Sequence, residues 1–188
     1  MSIPVRYILC IGCAIGGLGT FSHLSAEEPE GTQSVETPPA EVGLEQLAWL
    51  VGDWGEAGTE SNISASCRWT KNHSFLNRSF SVSNQDEVVI EGTQIIGWNA
   101  VDQQIQSWTF DSAGGFGQGF WSRDGDRWTV KTHFVLAAGE RASSLNVFKM
   151  VDENTFRWQS INRERGGELL PNVEEITIVR QLVGEKEK

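Results

Sequence analysis

Residues 88–121 read VVIEGTQIIGWNAVDQQIQSWTFDSAGGFGQGFW. Two alternating runs, 88–98 and 104–110, flank the turn Asn99-Ala100-Val101-Asp102, and a glycine-rich stretch at 113–117 leads into a third run at 119–123. Alternation with a period of two puts one side-chain set on each face of a strand. Tight polar turns between such runs make neighbouring strands antiparallel. The stretch therefore predicts three strands of a meander, and it carries three of the eight tryptophans.

The same pattern extends outward in both directions. Upstream, 64–71 and 75–83 form a hairpin with Asn72-His73 near its turn, and Asn84-Gln85-Asp86 makes the next turn. Downstream, Asp124-Gly125-Asp126 is a short-hairpin signal ahead of 127–136. Ala138-Gly139 precedes 141–151, Asp152-Glu153-Asn154 precedes 155–162, a looser loop spans 163–171, and 173–182 is the last strand. Nine or ten strands with hairpin-length connections predict an all-β fold, an antiparallel up-and-down β-barrel of lipocalin-like form, in which closure removes exposed edges. A β-sandwich is the alternative, but its longer crossovers are missing. Before the strands, LEQLAWLVGDW (residues 44–54) has apolar residues at 44, 47, 48, 50 and 51 and predicts a short helix stopped by Gly52. Such a helix plugs one end of a barrel, with Trp49 and Trp54 in the core.

The flanks have other compositions. Residues 1–26 combine Arg6, an apolar glycine-rich run and Leu24-Ser25-Ala26, the layout of a cleaved signal peptide. The chain is therefore expected to be exported, to the periplasm or outside the cell, with no membrane insertion after cleavage. Residues 27–42 are acidic and proline-bearing and predict a disordered tether, 43–182 form the barrel domain, and 183–188 are a charged tail. Cleavage would remove Cys10 and Cys13 and leave Cys67 alone, a small buried hydrophobe. The formal net charge of −10 would become −11 without Arg6, which opposes binding to nucleic acid or anionic lipid.

Alternation also assigns the inner face. Trp128, Val130, Phe134 and Leu136 share one face, as do Phe156 and Trp158, and as do Leu76, Phe80 and Val82 with Arg78. Val88, Ile90, Ile96 and Trp98 share a face with Gln94, and Trp108 and Phe110 share one with Gln106. The polar members, Arg78, Gln94, Gln106, Thr132 and Asn146, must either pair internally or be wetted in a cavity, because an unpartnered buried polar group costs ~1–3 kcal/mol. A cavity with aromatic walls suits a small apolar or amphipathic molecule, and Arg78 suits a carboxylate on it. The expected ligand-lining set is Arg78, Gln94, Gln106, Trp108, Phe110, Thr132 and Trp158.

Other chemistries find little footing. Gly114-Gly115-Phe116-Gly117-Gln118-Gly119 lacks the helix and lysine of a phosphate loop and reads as a turn between strands. His73 and His133 make no metal-ligand spacing, and His133 falls on the outward face. No G-x-S-x-G elbow occurs, and Glu174-Glu175 point to opposite faces. No cofactor, metal or catalytic residue is expected.

Several stretches are similar to an uncharacterised bacterial family of lipocalin-like (calycin-type) barrel domains: LAWLVGDW at 47–54, CRWTKNHSFLNRSFSV at 67–82, EGTQIIGWNAVDQQIQSWTFDSAGGFGQGFW at 91–121 and ELLPNVEEITIVR at 168–180. In that family the barrel often follows a SnoaL-like domain, which is absent here. Gly52-x-Trp54 also resembles the G-x-W signature of lipocalins. Nitrobindin-type haem barrels are a more distant likeness, and the late haem-binding histidine they use has no counterpart after His133. The resemblance implies a fold and ligand binding without an established reaction. Three functions follow as expectations: a non-enzymatic ligand-binding barrel, an envelope interaction module, and a hydrolase or isomerase using interior polar groups.

Overall fold

A computed structural model describes residues 43–58, 63–84 and 87–181. The predicted signal peptide, tether and charged tail lie outside the described residues. Eleven strands follow one 3₁₀ helix, Leu44–Leu50: β1 Gly52–Glu56, β2 Ile63–Trp69, β3 Phe75–Asn84, β4 Glu87–Asn99, β5 Gln104–Asp111, β6 Phe116–Asp124, β7 Arg127–Val135, β8 Arg141–Asp152, β9 Thr155–Arg165, β10 Glu168–Leu170 and β11 Ile176–Arg180. Each strand from β1 to β9 pairs antiparallel with the next in sequence, and β11 pairs with both β9 and β1. Ten strands thus close into an up-and-down barrel, as the sequence pattern predicts. The eleventh, β10, pairs with the far end of β9. Together β10 and β11 are one return strand broken at 171–175, where Val173 N–H still donates to the Ser160 carbonyl at 2.8 Å.

The helix differs from its prediction in type and length. Leu44, Leu47 and Leu50 recur every third residue, which a 3₁₀ helix with three residues per turn stacks on one face. All three are fully buried. Val51 N–H bonds the Ala48 carbonyl and the chain then turns into β1, so Trp54 belongs to a strand. Gly52 takes φ 137°, and a Cβ there would strike the Arg180 guanidinium. Arg180 explains why: it donates to the carbonyls of Trp49, Val51 and Glu153 and lies over the Trp54 ring at 4.3 Å. One side chain thereby fastens the helix to the β8–β9 turn region and to β1.

The helix end of the barrel is filled by apolar side chains. Leu47, Leu50, Leu76, Ile96, Ile105, Trp121, Trp128, Phe148 and Phe156 form one cluster with Trp54 and Cys67. Its rings meet edge-on, Trp54 to Phe156 at 4.9 Å and Trp49 to Phe156 at 5.5 Å. The opposite half is hollow.

Candidate functional site

Register decides which side chains reach the interior. On β3 and β4 the inward set is even-numbered, with Arg78 opposite Gln94 and Leu76 opposite Ile96. Across β4–β5 the partners are Gln94 with Thr109 and Ile96 with Ser107, so the inward set on β5 is odd-numbered. This corrects the expectation for that strand: Gln106, Trp108 and Phe110 face outward. Ser107 is 0% exposed, whereas Phe110 is 55% exposed. The physical reason is packing on both faces of the same strand. Inside, Ser107 accepts the Trp121 indole N–H at 3.0 Å, and a Cβ on Gly119 would press its hydroxyl at 2.6 Å. No ring fits there. Outside, the Phe75 ring lies over Gly97 with Trp108 beside it, and Phe110 is paired with Phe116 across strands. Val88 also leaves the inner face, because β3 and β4 slip register after Val82.

Arg78, Gln94, Thr132 and Trp158 are where the sequence places them, on the wall of a cavity of about 210 Å³. They are joined there by Thr109, Asp111, Ser144, Asn146, Ser160 and Arg163, and by the rings of Trp54, Phe80, Trp121, Phe134, Phe148 and Phe156. The cavity is floored at the helix end by Leu50, Trp54, Phe148 and Phe156 and extends from there into the opposite half of the barrel. Two inner-face glycines shape it. A Cβ on Gly92 would strike the Phe80 ring, and one on Gly117 would strike Phe134, so both rings lie flat against bare backbone. Asp111 is committed locally: its carboxylate accepts the Ala113 and Gly115 N–H groups at 2.9 and 2.8 Å in the β5–β6 turn.

The polar groups form two hydrogen-bonded sets. On β3–β6, Arg78 donates to Gln94 Oε1 at 3.4 Å, and Gln94 Nε2 donates to Thr109 at 3.1 Å and more weakly to Ser107. On β7–β8, Thr132 bonds the Ser144 carbonyl and hydroxyl at 3.2 and 3.0 Å, and Asn146 Nδ2 donates to both hydroxyls. Internal pairing and a cavity therefore coexist.

Arg78 stands apart energetically. Its side chain is half-buried on the inner face of the barrel, and among the described residues it makes one long hydrogen bond and joins no ion pair. Burial pushes it below the ordinary guanidinium value, opposed only by the nearby Cys67. Cys67 is its partner across β2–β3, and burial, the largest influence, raises the thiol. A partly desolvated cation without a counter-ion attracts an anion more strongly than one in bulk water, because less water screens it.

Arg163, which the sequence pattern assigns to a loop, is a wall residue of the cavity, 2% exposed, donating to the Pro171 carbonyl at 2.9 Å. A bulge places it there. Asn162 takes φ 49°, its N–H bonds the Asn172 side chain, and the β8–β9 register shifts by one residue. Alternation cannot reveal such a residue, because the bulge reverses the parity that alternation relies on. Asn162, a residue type that tolerates this backbone conformation, is the one local signal.

Among the described residues no group of histidine, cysteine and acidic side chains could hold a metal ion. His133 faces outward against Phe120, and burial followed by Lys131 lowers its imidazole. No protein-family model and no curated protein matches the chain.

Proposed function

We propose that this chain is an exported binding barrel that holds one small, largely apolar molecule by an anionic group. The observation that carries the reading is Arg78: a guanidinium that has no carboxylate partner among the described residues and borders a cavity walled by aromatic rings, aliphatic side chains and a few polar groups. A ligand carboxylate would complete its hydrogen bonding, and the rings would cover the apolar remainder. The volume lies below the roughly 300–1,000 Å³ of sites for drug-sized ligands, which favours a compact molecule. Kinship with lipocalin-like domains belongs to the same reading. The closed meander supports it, although lipocalin barrels have eight strands and this one has ten.

The test uses the cavity's own fluorophores, Trp54, Trp121 and Trp158. The purified protein would be extracted with organic solvent and the extract analysed by mass spectrometry, while small carboxylates are titrated against intrinsic fluorescence. A co-purifying anion, or saturable quenching that Arg78→Met abolishes, is the expected result. Binding that survives Arg78→Met would overturn the assignment of the anion to that residue.

A second reading, an interaction module, has its own observation. The outer face of β3–β6 carries Phe75, Phe110 and Phe116, all largely exposed, beside half-buried Trp108. On this reading Phe110→Ser with Phe116→Ser abolishes self-association or partner capture while leaving carboxylate binding intact. Sedimentation and pull-downs that do not change would remove it.

A further inference from the structure

The cavity has a second polar pole, across from Arg78. In the closed ring of ten strands, β8 is five places from β3 and so faces it through the barrel, and β9 is next to β8. Asn146 on β8 and Ser160 on β9 are directly paired in register, and both border the cavity.

Their hydrogen-bonding capacity is only partly used. Thr132 donates its hydroxyl proton to the Ser144 carbonyl, so the proton between the two hydroxyls comes from Ser144. Both hydroxyls can then only accept from Asn146, which fixes its NH₂ toward them at 3.2 and 3.4 Å. That leaves Asn146 Oδ1 without a donor among the described residues. Ser160 is 5% exposed, and its hydroxyl makes no hydrogen bond to any described residue. Its backbone carbonyl is already used by Val173. One idle acceptor and one idle hydroxyl therefore sit side by side on the wall opposite a half-buried cation. The rest of the lining is mainly apolar, with the rings of Phe80, Phe134 and Trp158 among aliphatic side chains, and Asp111 and Arg163 at its polar points.

We infer that the cavity selects a bipolar ligand of the hydroxyaryl-carboxylate class: a carboxylate at Arg78, a planar apolar ring in the middle, and a hydroxyl donating to Asn146 Oδ1 and accepting from Ser160. This rests on the proposed binding function and names its ligand class. A simple fatty acid satisfies only the Arg78 pole. Because a ligand that fills the cavity desolvates the second pole, one lacking the hydroxyl leaves Asn146 and Ser160 unpaired and binds more weakly.

The experiment is a calorimetric series on the intact barrel. 4-Hydroxybenzoate, 4-hydroxyphenylacetate and 4-hydroxyphenylpropanoate would each be compared with the acid lacking the hydroxyl and with the methyl ester. The expected result is that the best-fitting member binds about tenfold or more tightly than its deoxy counterpart. Ser160→Ala should erode that ratio and Asn146→Leu should abolish it, the hydroxylated acid losing affinity and the deoxy acid losing none, because it no longer leaves a polar group unpaired. Melting curves of both variants check the fold, and Ser160→Ala, which breaks no existing hydrogen bond, serves if Asn146→Leu does not fold. Esters should bind poorly throughout. If the deoxy acids bind as tightly as the hydroxylated ones, the second pole is not a recognition element and the inference falls while the carboxylate reading stands. If no acid binds, both fall.

Discussion

The two halves of the barrel use the same ten strands for opposite ends. At the helix end most inward positions are large and apolar, and Trp49 and Trp54 both meet Phe156 edge to face. At the other end the inward positions of β4, β5, β6 and β8 turn small or polar: Gly92, Thr109, Gly117 and Ser144. Removing side-chain volume from a ten-stranded ring leaves space that its neighbours cannot reach across. The contrast teaches that a closed sheet can divide labour along its axis. One end supplies packing, and stability with it, and the other tolerates hollowness and a half-buried charge.

Substitutions at each end should break this contrast in opposite directions. The largest effect is expected at the packed end. Trp54 is 3% exposed and donates its indole N–H to the Leu50 carbonyl at 2.8 Å. Trp54→Ala should lower unfolding stability by about 3–5 kcal/mol in denaturant titration. A loss below about 1 kcal/mol would show that the helix end is not where stability resides. At the hollow end the sign should reverse. Arg78→Met removes a half-buried cation that has one long hydrogen bond, and in the absence of ligand the protein should gain about 1–2 kcal/mol. Reduced stability in that variant would mean that Arg78 holds the wall together.

The smallest effect lies on the outer surface, and it separates barrel packing from surface charge. Arg68 bonds both Asp53 oxygens, at 2.8 and 2.6 Å, and this hydrogen bonding, followed by Ser66, holds the Asp53 carboxyl below its usual range. A carboxyl lowered in the folded state adds stability above its unfolded value, and that stability is lost as pH falls through the folded value. Acid melts should therefore show a shallow decline below about pH 4. Arg68→Ala should flatten that part of the curve and leave the rest unchanged.

How much of this was legible depended on what set each strand's orientation. On β3, β7 and β9 the inward set is rich in aromatic and branched residues while the other set is mostly polar, so alternation places Arg78, Thr132 and Trp158 correctly. On β5 both faces carry a reason to be selected. The aromatic set packs outside over Gly97 and against Phe116, and the small polar set packs inside under Trp121. Sequence alternation ranks faces by hydrophobicity, so it chose the aromatic one. What decided the outcome was the register with β4, a non-local fact. β1 was hidden for a different reason: five residues with two glycines carry too little pattern, although Trp54 was already expected in the core. Arg163 was hidden by a bulge, and Arg180 by the fact that its partners, the carbonyls at 49, 51 and 153, lie far from it in sequence.

The fastening made by Arg180 also governs how the barrel can be mounted. The described chain enters through the helix and leaves at Gln181, whose N–H bonds the Asp53 carbonyl at the start of β1. Entry and exit therefore share the filled end, and the cavity faces the other way. A fused partner, a purification tag or a sensor surface joined directly at Gly43 or Gln181 therefore meets the back of the vessel and not its hollow end.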